Sequence, residues 1–224
     1  MGYLDEAGHR VVSDAVAEAE LGTSGEIVTV LADRSDGYSD VVLVWAAALS
    51  ILAMSIVSLV PRPLLDLIDA ALGGWGHEWT SGEAMAVAAS VGALSFVLFW
   101  LLLSADAIRF AILPGSVRTQ RVHAMAIRHF KVGAERRTHG RTGVLIYLSM
   151  REHRAEIVAD EPIAAKVDAE VWGDAMGDML VEIRDGRIAE GLAAGIRDVG
   201  EILAEHFPRE ADDENELPDR LIEV

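Results

Sequence analysis

The chain has 224 residues, of which 51% are hydrophobic, and a formal net charge of −17. The excess of 36 Asp and Glu residues over 19 Lys and Arg residues argues against a nucleic-acid-binding protein, because such proteins neutralise phosphates with basic side chains. The absence of cysteine excludes disulfides, thiolate metal sites and a cysteine nucleophile. A mean hydropathy of +0.28 beside 25% charged residues indicates that the apolar residues are concentrated in a few segments.

Residues 1–40 predict a helix followed by a strand. Apolar residues recur at helical spacing between positions 4 and 19, and Gly22–Gly25 ends the helix. Glu26–Leu31 is rich in β-branched residues, which favours a strand. Residues 32–40, with the sequence ADRSDGYSD, contain the residue types that turns prefer and lead into a long apolar segment.

Two uncharged windows, Val41–Val60 and Ala84–Leu103, predict a transmembrane helical hairpin within residues 41–103. Twenty residues in a helix span roughly 30 Å, the thickness of the hydrocarbon core. Between the windows, Pro63–Leu72 is amphipathic and predicts either a short interfacial helix or a plain loop. Neither window contains an ionisable residue, which argues against a transporter or channel.

The distribution of Lys and Arg predicts the orientation of the hairpin. Residues 1–40 contain two, residues 61–83 contain one and residues 104–141 contain eight. By the positive-inside rule both termini are cytoplasmic, as in an integral protein of a bacterial inner membrane. The basic residues after the second window either set this topology or bind anionic lipid directly, and the candidates for lipid contact are Arg109, Arg118, Arg121 and Arg128.

Residues 104–207 predict a further group of helices and strands. A helix over residues 116–137 precedes Gly143–Leu148, which is almost entirely apolar, as in a strand buried on both faces. Arg154–Ala159 alternates more between apolar and polar residues, as an outer strand does. It follows after a short turn, so the two strands form an antiparallel hairpin. Two helices follow, the first capped by Asp168 and the second over residues 188–207. Residues 208–224 predict a loose acidic tail.

Residues 1–40 cannot bury their own apolar face and therefore pair with residues 104–207. The two halves together predict one α/β domain, a sheet of three to four strands flanked by helices in three layers, with the transmembrane hairpin inserted into it. The first two strands are parallel, because a crossover connects them.

The order of these elements resembles the TPM domain family. The resemblance is carried by TSGEIVTV at residues 23–30, by THGRTGVLIYLS at residues 138–149, by RAEIVAD at residues 154–160 and by the helix around Glu190–Leu192. It implies a role in the assembly or repair of membrane protein complexes, or an acid-phosphatase-like activity with a bound divalent metal. Arg141 and Thr142 stand where the family often has Asp and Asn, so the resemblance implies a non-catalytic member more readily than a phosphatase.

Ligands of open α/β sheets bind beyond the carboxyl ends of the parallel strands. This rule places Asp33, Ser35 and Asp36 near Ser149 and Arg151. The carboxylates would hold Mg²⁺ or Ca²⁺, and Arg151 with Ser149 would bind phosphate. The alternative is that residues 33–37 are an ordinary turn.

The opposite end of the sheet gathers a polar cluster composed of Thr23, Glu26, Arg141, Thr142 and Asp160. An ion pair between Asp160 and Arg141 would secure the strand ends, and ligand binding is the alternative. The seven histidines show no metal-ligand spacing, and we expect His129, in a basic region, to be solvated.

The sequence leaves three functions open. The first is an integral membrane protein whose cytosolic domain is a non-catalytic interaction module, with the bilayer and other membrane proteins as partners. The second is a divalent-metal-dependent phosphohydrolase of the acid phosphatase type. The third is a sensor of anionic lipid surfaces that uses the basic residues between positions 109 and 141.

Overall fold

The fold comes from a computed structural model, which describes residues 2–73, 78–133, 142–209 and 217–224. In chain order its elements are α1 (Glu6–Glu20), β1 (Glu26–Ala32), α2 (Ser39–Leu59), α3 (Arg62–Leu72), α4 (Ser81–Ser104), α5 (Asp106–Ile112), α6 (Gly115–Gly133), β2 (Gly143–Ser149), β3 (Arg154–Ala159), α7 (Glu161–Ala164), α8 (Ala169–Arg184), α9 (Ile188–His206) and β4 (Ile222–Glu223). The chain divides into two compact units, Met1–Asp36 with Gly115–Val224, and Gly37–Pro114.

The first unit contains a four-stranded sheet in the order β3-β2-β1-β4. Strands β1 and β2 are parallel and in register from Glu26 opposite Gly143 to Ala32 opposite Ser149. Strand β3 is antiparallel to β2, and β4 is parallel to β1. The predicted α/β fold is confirmed, together with the parallel first pair and the antiparallel hairpin.

Helices cover both faces of this sheet, as the three-layer prediction requires. Every residue of β1 and β2 is buried, whereas β3 is half-buried throughout. One face packs on α1, α8 and α9, through buried residues such as Val16, Met179 and Ile196. The other face packs on α6 through Val122, Ala126 and Phe130. The central strands therefore lack a polar face, which explains their nearly continuous apolar sequence.

The side chains at the N-cap positions of α1 and α8 differ in whether they form a capping hydrogen bond. Asp5 precedes α1, and its carboxylate accepts a hydrogen bond from the N–H of Gly8 at 2.8 Å. Asp168 occupies the N-cap position of α8, as predicted, but its side chain makes no capping hydrogen bond. The helix predicted over residues 116–137 is present as α6, and the part beyond Gly133 lies outside the described residues.

Of the loose acidic tail predicted for residues 208–224, residues 210–216 lie outside the described residues, and residues 217–224 are packed against the sheet instead. Leu217 and Leu221 are each 5% exposed, and Ile222–Glu223 forms β4 beside β1. The prediction failed because the two leucines are isolated among acidic and turn-forming residues. Burial of each leucine side chain contributes about 1.5–3 kcal/mol, which is enough to hold a short edge strand.

In the second unit, α2 and α4 pack side by side. The hydroxyl of Ser50 donates to the carbonyl of Gly92 at 2.7 Å, and a Cβ at position 92 would lie 3.3 Å from the sulfur of Met54. Both helices are long and apolar enough to cross a membrane, and only 11% and 17% of their apolar windows are buried.

The connection between these two helices contains α3, at the place where an interfacial helix was one of two predictions. Leu65 is buried, whereas Leu67 and Leu72 are 64% and 81% exposed. The indole Nε1 of Trp79 donates to the carboxylate of Asp69 at 3.1 and 3.2 Å. Helix α4 then begins with a reciprocal capping box between Thr80 and Glu83.

Candidate functional site

The parallel strands β1 and β2 end beside each other, and their backbones stay bonded past the last ladder pair. The N–H of Met150 donates to the carbonyl of Ala32 at 3.0 Å, and the N–H of Arg151 donates to the carbonyl of Asp33 at 3.0 Å. The structure thus brings together the two chain segments that carry the residues predicted for this edge.

Asp33 is held at this edge by two side chains. The hydroxyl of Tyr3 donates to Oδ1 of Asp33 at 2.5 Å, and Nε of Arg151 lies 3.1 Å from the same oxygen. The hydrogen bond from Tyr3 lowers the pKa of the Asp33 carboxyl, and Arg151 lowers it further. The side chains of Asp33 and Arg151 are each 39% exposed, so the ion pair faces solvent. Sequence analysis missed Tyr3, because no motif marks a residue that precedes the first helix.

Asp36 pairs with a different cation. Its Oδ2 lies 3.2 Å from Nε of Arg121 on α6, whereas Asp33 is engaged by Arg151. Each carboxylate therefore already has a guanidinium counter-charge. Among the residues that the structure describes, no group of three or more His, Asp or Glu side chains is arranged to hold a metal ion. The shared Mg²⁺ or Ca²⁺ site suggested for Asp33 and Asp36 gains no support from this geometry.

A buried polar network lies beneath the exposed ion pairs. The hydroxyl of Ser35 donates to Oγ of Ser149 at 3.0 Å, and Ser149 donates to Oε2 of Glu152 at 2.5 Å. The other carboxylate oxygen of Glu152 accepts from the N–H of Ser35 at 3.0 Å. Tyr147 joins through its hydroxyl, 3.1 Å from Oγ of Ser35. This network ties the segment after β1 to the turn after β2.

The network changes the role expected for Ser149. Its side chain is fully buried and donates to Glu152, so it does not face an incoming phosphate beside Arg151. Glu152 is also fully buried, and sequence analysis missed it because a glutamate in a polar turn normally faces solvent.

His129 is not the solvated side chain that the sequence predicted. Its ring stacks on Tyr147 with a centroid distance of 5.6 Å and an interplanar angle of 28°. Burial lowers the pKa of His129, and neighbouring Arg128 adds to the shift. Burial also raises the pKa of the Tyr147 hydroxyl. The imidazole therefore acts as a packing partner of the sheet rather than as a surface charge.

The polar cluster at the amino ends of the strands bonds mainly to backbone. The hydroxyl of Thr23 donates to the carbonyl of Phe207 at 2.6 Å, and that of Thr142 donates to the carbonyl of Ser24 at 2.8 Å. The carboxylate of Asp160 accepts from the N–H of Gly143 at 3.0 Å. These bonds join strand ends, in line with the structural interpretation of the cluster. The predicted partner of Asp160, Arg141, lies outside the described residues.

Two glutamates complete this end of the sheet. Glu26 accepts at Oε2 from the N–H of Leu217 at 3.2 Å, and Glu20, which sequence analysis missed, accepts from the N–H of Ile27 at 2.7 Å. Burial raises the pKa of Glu20 to about 8; the Ile27 N–H opposes this shift, and Glu26 and Asp219 add to it. A cavity of about 170 Å³ lies beside these groups.

The basic residues proposed for lipid contact have different surroundings. Arg109 donates to the carbonyl of Ser104 and lies 3.3 Å from Asp106, and Arg121 is paired with Asp36. Arg118 is half-buried, whereas Arg128 is exposed on α6. The structure thus gives the four arginines unequal access to an external ligand.

Comparison with known proteins agrees with this architecture. Residues 108–202 match the family model of the TPM domain, so the chain contains a TPM domain. The NMR structure of the BA42 protein from the psychrophilic bacterium Bizionia argentinensis matches with a TM-score of 0.57 and 18% identity, covering 100% of this chain and 97% of that chain. At this identity the likeness concerns the fold. A comparison with curated protein sequences gave no match.

Proposed function

We propose that this TPM-domain chain is an integral membrane protein whose cytosolic domain is a non-catalytic interaction module, serving the assembly, repair or turnover of other membrane proteins. The observation that carries the proposal is the exposed edge of the sheet, where Asp33 pairs with Arg151 and Asp36 pairs with Arg121. This set of four side chains is called the strand-end surface below.

Membrane anchoring is supported by the surface of α2 and α4. A core helix of a soluble protein is mostly buried, whereas the apolar windows of these helices are mostly exposed. Leu59 and Leu94 are 81% and 71% exposed, for example. An apolar surface of this extent is typical of a membrane or protein contact, and the helix lengths match a bilayer core.

The proposed cytosolic placement is supported by the basic residues that come after α4. Arg109, Arg118 and Arg121 are the ones that follow the end of α4 most closely in the sequence. Lys and Arg near the ends of spanning helices favour the cytoplasmic side. This distribution supports a domain on the cytoplasmic side of the membrane, where the bilayer surface is anionic.

The strand-end surface favours protein recognition over catalysis. Its carboxylates are already bonded to guanidinium groups, and the hydroxyl of Ser149 is turned into the buried network. Alternating charges that are 33–40% exposed are suited to complementary contacts at the rim of a protein interface. A partner would exchange one of these ion pairs for an intermolecular one.

Site-specific photo-crosslinking in intact membranes tests this proposal. A photoreactive residue at Arg34, beside the surface, is expected to capture other membrane proteins, and the same residue at Val181 on α8 is the control. The variant Arg151→Glu should abolish capture from position 34, because it places a like charge against Asp33. Equal capture from both positions, or capture that is insensitive to Arg151→Glu, would contradict the proposal.

The phosphohydrolase alternative has its own assay. Purified protein is given a generic phosphomonoester with Mg²⁺ or Ca²⁺, and then a chelator. We expect no turnover above that of the double variant Asp33→Asn with Asp36→Asn. Metal-dependent turnover that this double variant loses would replace the interaction module with an enzyme.

The lipid-sensor alternative rests on exposed Arg128. Charge reversal to Arg128→Glu is expected to leave crosslinking from position 34 intact, because this residue lies outside the strand-end surface. Loss of both crosslinking and binding to anionic vesicles in this variant would favour lipid recognition as the primary function.

A further inference from the structure

Residues 217–224 are fastened to β1 by a short contact. Within this segment, only Ile222 and Glu223 form ladder pairs with that strand. The N–H of Val224 donates to the carbonyl of Leu31 at 3.0 Å, and the carbonyl of Val224 accepts from the N–H of Asp33 at 2.9 Å. The segment therefore reaches the backbone of a strand-end residue.

The side chains of the segment attach it to both cores and to the start of the chain. Leu217 packs with the core on the α6 face of the sheet, and Leu221 packs with the core on the α1 face. The carboxylate of Glu223 accepts from the N–H of Tyr3 at 3.3 Å and from that of Leu4 at 3.1 Å. Its Oε1 also lies 3.3 Å from Nε2 of His9.

The beginning of the segment is held by carboxyl groups. Glu26 binds the N–H of Leu217, and the side chains of Glu20 and Asp219 line the same cavity and interact with each other. Two neighbouring carboxyl groups attract each other through a hydrogen bond only when one of them carries a proton, because two carboxylates repel each other. The groups facing Glu20 are Glu26 from β1, Asp219 from the segment and Arg209 from the chain after α9.

We propose that residues 217–224 form a proton-controlled clasp on β1, which stays in place while Glu20 carries its proton and detaches when that proton is lost. Loss of the proton replaces a hydrogen bond by repulsion between two carboxylates, next to a third at Glu26. The β-ladder between β1 and β4 is only two residue pairs long, so it contributes little free energy against detachment. The clasp does not depend on what binds at the strand ends.

Detachment has a defined consequence for the rest of the domain. It uncovers the edge of β1 and removes the acceptor of the Asp33 N–H. It also frees Tyr3 from Glu223, so the hydroxyl that is bonded to Asp33 loses its anchor. The proton on Glu20 thereby controls access to an open sheet edge and the order of the strand-end surface.

Hydrogen–deuterium exchange of the full chain in detergent tests the clasp. Exchange at pH 6 and pH 9 is corrected for intrinsic rates, and residues 217–224 are compared with β2. Between the two pH values the amides of Val224 and Asp33 are expected to lose protection by about tenfold or more, while β2 keeps its protection. Unchanged protection of residues 217–224 at pH 9 would overturn the proposal, since Glu20 would then ionise with the segment in place.

Variants separate the clasp from general alkaline loosening. Glu20→Gln keeps an acceptor for Ile27 and a donor for Asp219, so its segment should stay protected at pH 9. Glu18→Gln, an exposed position on the same helix, should behave like the unmodified chain. Equal loss of protection in Glu20→Gln and Glu18→Gln would overturn the proposal.

A second substitution on the segment itself covers the case in which the first variant does not fold. Asp219→Asn removes one negative charge at a half-buried position and should shift the loss of protection to higher pH. An unshifted transition in Asp219→Asn would mean that the repulsion does not involve this pair and would likewise overturn the clasp.

Discussion

Arg151 and Asp33 form an ion pair at 3.1 Å although 118 positions separate them in the sequence. The parallel pairing of β1 with β2 is what brings them together, because both residues follow the last ladder pair, Ala32 with Ser149. Tyr3 binds the same carboxylate, so three separate parts of the chain meet at one oxygen atom. The strand-end surface is thus a product of the tertiary fold.

The Arg151–Asp33 pair should matter more for recognition than for stability. Because both side chains are 39% exposed, we expect a double-mutant cycle with Asp33→Asn and Arg151→Gln to give a coupling energy of about 0.2–1 kcal/mol. The measurement is urea unfolding in detergent, followed by Trp172 fluorescence with the other tryptophans replaced by Phe. A coupling of several kcal/mol would make the pair a structural element instead.

The buried Glu152 should behave in the opposite way. Glu152→Ala leaves the hydroxyl of Ser149 and the N–H of Ser35 without their acceptor, which we expect to lower the free energy of unfolding by about 2–4 kcal/mol. The control is Glu156→Ala on β3, a side chain that is 23% exposed and lies 3.4 Å from His123. An equal, small effect of both substitutions would show that the network contributes nothing beyond a surface ion pair.

The sequence predicts this fold well where a pattern has a local cause. Residues 143–148 are apolar at every position because both faces of β2 are covered, and continuous apolar sequence is itself the signal of such a strand. The parallel pairing of β1 and β2 followed from the long crossover between them. The two uncharged windows likewise predicted α2 and α4, apart from a few residues at their ends.

The parts that the sequence did not reveal depend on partners far along the chain. Glu20 and Glu152 carry the same side chain as exposed surface glutamates, and their burial follows from where Ile27 and Ser149 are placed by the sheet. His129 was expected in solvent because its sequence neighbours are basic, yet the helix turns it onto Tyr147. For such residues composition and spacing do not predict burial, because burial depends on the tertiary contacts that each side chain makes.

Thr29 offers a substitution that should stabilise the protein. Its side chain is 1% exposed, and its hydroxyl has no hydrogen-bond partner among the described residues. Thr29→Val keeps the shape and removes the unpaired hydroxyl, so the free energy of unfolding should rise by about 1 kcal/mol. The matched control is Thr23→Val, which should destabilise because that hydroxyl bonds both Phe207 and Gly25. Urea midpoints distinguish the two outcomes, and destabilisation by Thr29→Val would indicate a partner for the hydroxyl.

Close packing of α1 against α9 depends on Gly200. A Cβ at this position would lie 2.6 Å from Cβ of Ala19, so Gly200→Ala forces the helices apart and should cost about 1–3 kcal/mol. Gly177 on α8 has nothing within 4 Å of such an atom, and Gly177→Ala should stabilise by about 0.5–1 kcal/mol through helix propensity. The two melting temperatures should therefore move in opposite directions. A neutral Gly200→Ala would mean that α1 and α9 can separate without loss of packing.

The raised pKa of Glu20 makes stability depend on pH with a definite sign. The unfolded chain loses this proton near 4.5, whereas the folded chain keeps it to about 8. Folding therefore takes up a proton between these values, and the free energy of unfolding should fall as the pH rises from 4.5 to about 8 and level off above it. Asp33, whose pKa is lowered, contributes in the opposite direction at more acidic pH.

At each pH, the free energy of unfolding of Glu20→Gln is subtracted from that of the unmodified chain. The difference isolates the contribution of Glu20, because the other titrating groups are common to both. The difference should favour the unmodified chain most at pH 4 and the Glu20→Gln variant increasingly toward pH 8, and Glu18→Gln should give a flat difference. A flat curve for Glu20→Gln as well would mean that the carboxyl turns outward to solvent when it ionises. The stability of the domain would then be indifferent to the Glu20 proton, and an opening of residues 217–224 at high pH would have to come from another group.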